Sequence, residues 1–213
     1  MGSDLKRLLG LKPFSSDLVA HISALATAAE KPDATKPEVK SYSDAVYFNY
    51  YALGLSLLFK PVDGYMPKTG LKLEELQDKN LVLDGVDIYN VPSPKAGANA
   101  SRATKSPYTT YPISPIVLSL VPLPTDQDKK PRPESITITP ETTGKEFVST
   151  MGEPDRKGGG AGPSSGSIGI WCEWSKDGVM VEFGGEESRG PQAWERGKDA
   201  VWKVISIFPA KSD

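Results

Sequence analysis

The sequence has one cysteine, Cys172, and one histidine, His21. A single cysteine cannot form an intrachain disulfide, and a structural zinc site needs several cysteine or histidine ligands. We therefore expect no metal site and no cofactor, and the missing disulfide framework favours a cytoplasmic location. Neither residue lies in a recognisable catalytic signature, so both are expected to be structural and no catalytic residue is assigned.

Long apolar runs and a strong excess of one charge are also missing. No segment approaches the ~20 apolar residues of a membrane-spanning helix, so we expect no membrane span. The formal net charge is −2 over 213 residues, which argues against general nucleic-acid binding, because such proteins usually carry a basic stripe. A chain of this length can bury a full core, as one large domain or two small ones.

Two segments show the same order of residue types, and a helical pattern precedes each. Residues 46–59 align with residues 170–183, so that Gly54 falls on Gly178 and two tyrosines fall on two tryptophans. This likeness indicates an internal duplication. Alternation of apolar and polar residues would also align two unrelated hairpins, so coincidence remains the alternative.

The pattern predicts an α+β fold of two similar units packed as one body, each a short helix followed by a small antiparallel sheet. The first unit is expected at residues 1–91 and the second at residues 136–213. A proline-rich connection, residues 92–135, separates them and contains one edge strand at 116–121, because prolines on both sides of that run disfavour a central strand.

The second unit also contains a helix-ending turn with a recognisable spacing. Thr143 begins a capping-box pattern, Gly152 and Pro154 form a Gly-x-Pro turn, and sheet segments follow at 171–183 and 201–208. This order resembles the BamE-like lipoprotein domain of bacteria, and the tandem plan resembles the beta-lactamase-inhibitor-protein architecture. In the first unit, which lacks Gly-x-Pro, the resemblance is of element order only. It implies an α+β fold whose sheets present a protein-binding surface.

Alternation assigns the side chains of each hairpin to two faces. The apolar faces should pack on the helices, and they carry Val46, Phe48, Tyr50, Leu55, Leu57, Phe59, Ile170, Cys172, Trp174, Val179, Val181 and Phe183. The opposite faces carry Tyr47, Asn49, Tyr51, Ser56, Trp171, Glu173, Met180 and Glu182. Because tyrosine, tryptophan and methionine are enriched at interface cores, we expect these outer faces to bind a partner. Coverage by the other unit or by the long loops is the alternative.

Two further features suggest other kinds of site. The glycine-rich stretch 156–167 begins with Arg156 and Lys157, so it is either a loop that binds a small anionic ligand or a partner, or a plain connection. Glu173 and Glu182 share one face of the second hairpin, which is the arrangement that acid/base chemistry would need. Solvated or ion-paired carboxylates are the simpler interpretation.

We therefore predict a non-enzymatic interaction or adaptor protein. It would bind another protein through the aromatic outer sheet face and the basic glycine-rich loop. The first alternative is a small-ligand binding protein that uses the cleft between the two sheets, and the second is an enzyme with an unrecognised carboxylate site.

Overall fold

The computed structural model describes residues 4–91, 106–122, 132–160 and 169–211. The chain forms two compact units. The N-terminal unit comprises residues 8–113, and the C-terminal unit comprises residues 114–213 together with residues 1–7. Each unit combines a helix with antiparallel strands, so the predicted α+β class is confirmed.

The N-terminal unit consists of one helix followed by a four-stranded antiparallel meander. In chain order these elements are α1 (Ser16–Ala28), β1 (Glu38–Ser41), β2 (Val46–Tyr50), β3 (Leu55–Pro61) and β4 (Leu81–Tyr89). Neighbouring strands along the chain are hydrogen-bonded neighbours in the sheet. Leu18, Ile22 and Leu25 of α1, which are spaced four and three residues apart, are buried, so the helix presents one apolar face to the core.

The turn between β2 and β3 requires a glycine. The backbone of Gly54 is left-handed, with φ of 58°, and a Cβ atom there would collide with the Thr109 carbonyl oxygen. The pairing of β3 with β4 shifts register between Leu58 and Phe59, where Asp84 is the extra residue before Gly85. A bulge is therefore present at Asp84-Gly85.

The C-terminal unit contains a two-stranded sheet, two helices and a second four-stranded meander. Its elements are β5 (Ile116–Ser119), β6 (Ser135–Ile138), α2 (Gly144–Met151), β7 (Arg156–Gly158), β8 (Trp171–Trp174), β9 (Val179–Phe183), α3 (Ala193–Arg196) and β10 (Trp202–Ile207). Strands β5 and β6 pair with each other, and β7 to β10 pair in chain order. The predicted capping box begins α2: the Thr143 N–H donates to the Glu146 carboxylate at 2.7 Å.

The observed division of the chain differs from the predicted ranges 1–91, 92–135 and 136–213. The segment 106–113 belongs to the N-terminal unit, whereas residues 4–7 belong to the C-terminal unit. There the Asp4 carboxylate accepts a hydrogen bond from the Ser119 N–H at 3.2 Å. The rest of the predicted connection, residues 92–105 and 123–131, lies outside the described residues.

The assignment of the inner faces is confirmed. Every side chain predicted to face inward in the two hairpins is at most 6% exposed. In both units a helix precedes an antiparallel meander, but this shared order does not test a duplication, which remains a prediction.

Candidate functional site

The outer face of β1 to β4 carries a row of polar side chains. Strand register places Glu38 opposite Asn49, Asn49 opposite Ser56, and Ser56 opposite Asp87. Residues that are directly opposite in neighbouring strands point to the same side of the sheet. One polar position from each strand therefore forms a line across the outer face.

The centre of this row is a hydrogen-bonded cluster. The Asn49 Oδ1 accepts hydrogen bonds from the Ser56 hydroxyl at 2.9 Å and from the Tyr108 hydroxyl at 2.6 Å. The Asn49 Nδ2 donates to the Glu38 carbonyl at 3.3 Å. Asn49 and Ser56 are 6% and 3% exposed, so these bonds satisfy polar groups that have little access to water. The cluster fixes the orientation of the Asn49 amide and holds Tyr108 against the sheet.

Tyrosine rings surround the polar row. Tyr108 stacks on Tyr89 with ring centroids 3.7 Å apart and an interplanar angle of 4°. Tyr51 meets the same Tyr108 ring edge-on at 4.7 Å. On another side, Tyr42 and Tyr47 form a T-shaped pair at 6.1 Å. Such contacts hold aromatic side chains in defined positions while leaving their hydroxyl ends available for hydrogen bonding.

These residues enclose a cleft of about 460 Å³, which we call the tyrosine cleft. Its lining consists of Lys40, Tyr42, Asp44, Ala45, Tyr47, Asn49, Ser56, Asp87, Tyr89 and Tyr108. The cleft thus combines flat aromatic surfaces, neutral hydrogen-bonding groups and charges of both signs. This combination can recognise a surface that is itself partly apolar and partly polar.

The Tyr47 and Tyr108 hydroxyls stay protonated near neutral pH. Burial raises the pKa of Tyr47, and the Asp87 and Asp44 carboxylates raise it further. Burial also raises the pKa of Tyr108, by more than its hydrogen bonds with Ser56 and Tyr89 lower it. Neutral tyrosines cost less to cover with a partner than phenolates would.

Sequence reasoning located only part of this site. Tyr47 lies in the cleft, and Tyr51 lies in the turn after β2, where it contacts Tyr108. Asp87 and Tyr89 were missed, although alternation about the buried Ile88 would have assigned them to the outer face. No alternation of apolar and polar residues marks Tyr108, because it lies in an irregular segment rather than in a strand.

The corresponding face of the C-terminal unit carries Trp171 and Glu173. The Arg156 guanidinium lies 6.0 Å from the Trp171 ring centroid and donates a hydrogen bond to Glu173 at 3.1 Å. The Ser175 hydroxyl donates to Glu173 at 2.6 Å, and the Lys211 ammonium donates to it at 3.4 Å. Only 8% of the Glu173 side chain is exposed. The Glu173 carboxylate is therefore used in holding Arg156, Ser175 and Lys211 in place and is not open to solvent.

The two carboxylates proposed for acid/base chemistry are both ion-paired. Register places Glu173 opposite Met180, and Glu182 opposite Trp171, so the two carboxylates are diagonal neighbours. Glu182 is bound by the Lys203 ammonium at 2.9 Å. Burial alone raises the pKa of Glu173, but hydrogen bonds from Ser175 and Lys211 and the Arg156 charge hold it below its ordinary value of 4.5. A general acid needs the opposite shift.

The basic pair at the start of the glycine-rich stretch does not form a loop. Arg156 and Lys157 begin strand β7, where Arg156 is opposite Glu173 and Lys157 is opposite Cys172. They therefore lie on opposite faces of the sheet, because successive strand residues alternate. The Lys157 ammonium is 5.7 Å from the Trp194 ring centroid on the inner face. The expectation that these two residues belong to a basic loop is therefore wrong, and residues 161–167 lie outside the described part.

Comparison with known proteins adds no assignment: no protein family model, no curated protein sequence and no solved structure matches this chain. In the part of the chain that the structure describes, helices fall short of the length and apolar character that crossing a bilayer requires. A search of the same residues finds no group of three or more histidine, cysteine, aspartate or glutamate side chains that could hold a metal ion.

Proposed function

We propose that this protein is a non-enzymatic interaction protein that binds another protein through the tyrosine cleft. The observation that carries the proposal is the ring of tyrosines around the Asn49–Ser56–Asp87 row. Tyrosine gives a large contact area at a low cost in side-chain entropy, and it is enriched where proteins bind one another.

The arrangement of polar groups supports a protein partner. The hydrogen-bonded Asn49–Ser56–Tyr108 cluster holds the floor of the cleft in place before binding, which lowers the ordering cost of association. Lys40 and Asp44 add charges of both signs to the lining. A segment of a protein partner can match such a surface, because its backbone amides form hydrogen bonds and its side chains supply both apolar and charged groups. The resemblance to the beta-lactamase-inhibitor-protein architecture suggests the same use of a sheet, and it is part of the proposal.

The proposal also covers the cellular location of the protein and the extent of its binding surface. The single cysteine supports a cytoplasmic location, where disulfides are rare. The binding surface extends from the cleft to Tyr51, which contacts Tyr108. Arg156 and Lys157 are left out of this surface, since they face opposite sides of their own sheet.

The proposal is tested by affinity capture with quantitative mass spectrometry, using the intact chain, Tyr47→Ala and the matched control Tyr65→Ala. Tyr65 is half-buried like Tyr47 and belongs to the same unit, but it does not line the cleft. A central aromatic anchor contributes about 2 kcal/mol or more, so Tyr47→Ala should lower recovery of a direct partner about thirtyfold. Tyr65→Ala should leave recovery unchanged.

The unfolding temperature of each variant is the control for misfolding. If all three chains recover the same partners in equal amounts while Tyr47→Ala remains folded, the cleft is not the binding surface. If no chain recovers a partner, but a metabolite raises the unfolding temperature of the intact chain and not that of Tyr47→Ala, the cleft binds a small ligand instead.

A further inference from the structure

The C-terminal unit contains an apolar pocket of about 370 Å³ on the inner side of its four-stranded sheet. Its lining consists of Gly144, Lys145, Val148, Ser149, Ile170, Cys172, Phe183, Trp194, Gly197 and Lys198. Ile170, Cys172 and Phe183 are at most 5% exposed and belong to the core, whereas Trp194 is 42% exposed. The pocket therefore extends from the core to a mouth beside an exposed aromatic ring.

Two glycines shape the wall of this pocket. A Cβ atom on Gly144 would collide with the Gly197 carbonyl oxygen, and one on Gly197 would collide with the Ile170 side chain. The start of α2 and the turn after α3 therefore approach each other backbone to backbone. This part of the pocket wall is therefore backbone, and changes in side-chain conformation do not move it.

The charged side chains that line the pocket are both lysines. Lys145 and Lys198 line it and are exposed, and the Lys157 ammonium lies 5.7 Å from the Trp194 ring centroid. Among the described lining residues there is no carboxylate. A ligand that matches this lining has an apolar body and an anionic end.

We propose that this pocket binds a small amphipathic carboxylate of the kind of a medium-chain fatty acid. The apolar body lies against Ile170, Phe183 and Trp194, and the carboxylate lies between Lys145 and Lys198. This site is independent of the tyrosine cleft, because its residues all belong to the C-terminal unit. Its volume lies within the roughly 300–1,000 Å³ range of small-molecule sites.

Binding is tested on the full chain with decanoate as the probe and decanol as the uncharged counterpart. All four tryptophans lie in the C-terminal unit, so tryptophan fluorescence reports on this unit alone. Calorimetry should show that decanoate saturates a single class of site at concentrations below those at which it forms micelles. Decanol should bind at least about tenfold more weakly, because it lacks the charge that the lysines recognise.

Two variants test whether decanoate binds in this pocket. Val148→Phe fills the pocket from a half-buried position, and the double variant Lys145→Gln/Lys198→Gln removes the charges from exposed positions that do not threaten the fold. Each should weaken decanoate binding at least about tenfold. The double variant Lys12→Gln/Lys60→Gln, with exposed lysines in the other unit, should bind like the intact chain. Trp194→Phe should lose most of the fluorescence change.

Three results would overturn the proposal. The first is the absence of saturable decanoate binding. The second is undiminished binding to the Lys145→Gln/Lys198→Gln variant, which also decides the matter if Val148→Phe does not fold. The third is decanol binding as tightly as decanoate, which would rule out recognition of the carboxylate. None of these results bears on the tyrosine cleft, so the two proposals fail separately.

Discussion

The ion pair between Arg132 and Asp177 should be a main support of the C-terminal unit. The guanidinium binds the carboxylate through two contacts, Nη1 to Oδ2 at 2.7 Å and Nη2 to Oδ1 at 3.0 Å. The side chains are only 10% and 2% exposed. Arg132 also donates to the Met151 carbonyl at 3.1 Å, and the Val121 N–H donates to Asp177 at 2.9 Å. The pair thus joins the β8–β9 turn to three other parts of the unit.

Arg132→Met removes the charge and keeps an unbranched apolar stem. It leaves the Asp177 carboxylate buried without its cation, and removing one partner of a buried pair costs about 3–5 kcal/mol. At about 2–4 °C per kcal/mol for a chain of this length, the unfolding temperature should fall by about 10 °C. Urea unfolding followed by tryptophan fluorescence measures the change in this unit alone, since every tryptophan lies in it.

The matched control is Lys203→Met, which breaks the Lys203–Glu182 pair. That pair has a similar length, 2.9 Å, but its side chains are 39% and 25% exposed. Exposed ion pairs contribute about 0–1 kcal/mol, so this variant should lose little stability. If Arg132→Met is destabilised no more than Lys203→Met, then burial does not make the Arg132–Asp177 pair a main support of this unit.

Three smaller predictions concern single residues. Gly54→Ala should lower the free energy of unfolding by more than about 1 kcal/mol, and by more than Gly64→Ala does. Both glycines have positive φ, but only a Cβ atom at position 54 would meet neighbouring atoms. Urea unfolding of the two variants measures the difference. The lowered pKa of Glu173 means that its carboxylate stabilises the fold above pH 4.5 and that this contribution disappears as the pH falls through the lowered value. Glu173→Gln should therefore weaken the acid dependence of stability, and an unchanged pH profile would contradict this account. Burial raises the pKa of Cys172 to about 11, so alkylation at pH 8 should be slow in the folded chain and fast in urea; equal rates would contradict it.

The strands with regular alternation could be predicted from the sequence. Residues 46–59 and 170–183 alternate strongly, so alternation alone assigned the inner face of each hairpin correctly. Strands β1 and β7 were missed because their short sequences, Glu38–Ser41 and Arg156–Gly158, are polar and contain no apolar alternation. Pairing with a longer neighbouring strand decides their structure, and a local pattern cannot show that.

The candidate site was predicted only within the β2–β3 hairpin. Tyr108 reaches the cleft because its own segment is attached to the sheet: the Thr109 N–H donates to the Tyr51 carbonyl at 2.9 Å, and the Tyr111 N–H donates to the Tyr89 carbonyl at 2.8 Å. These contacts join parts of the chain far apart in sequence. The pairing of Glu173 has a similar origin, since the Lys211 ammonium donates to it at 3.4 Å from beyond the last strand.

The most direct test of the tyrosine cleft is site-specific photocrosslinking in the source cells. A photoreactive phenylalanine analogue replaces Tyr42, which lines the cleft and is 45% exposed, or Met66, which is 74% exposed outside it. If the cleft binds the partner, a crosslinked protein should form from position 42 only and should be lost when Tyr47 is also replaced by alanine. The same adducts from both positions, or adducts that persist without Tyr47, would contradict binding through the cleft.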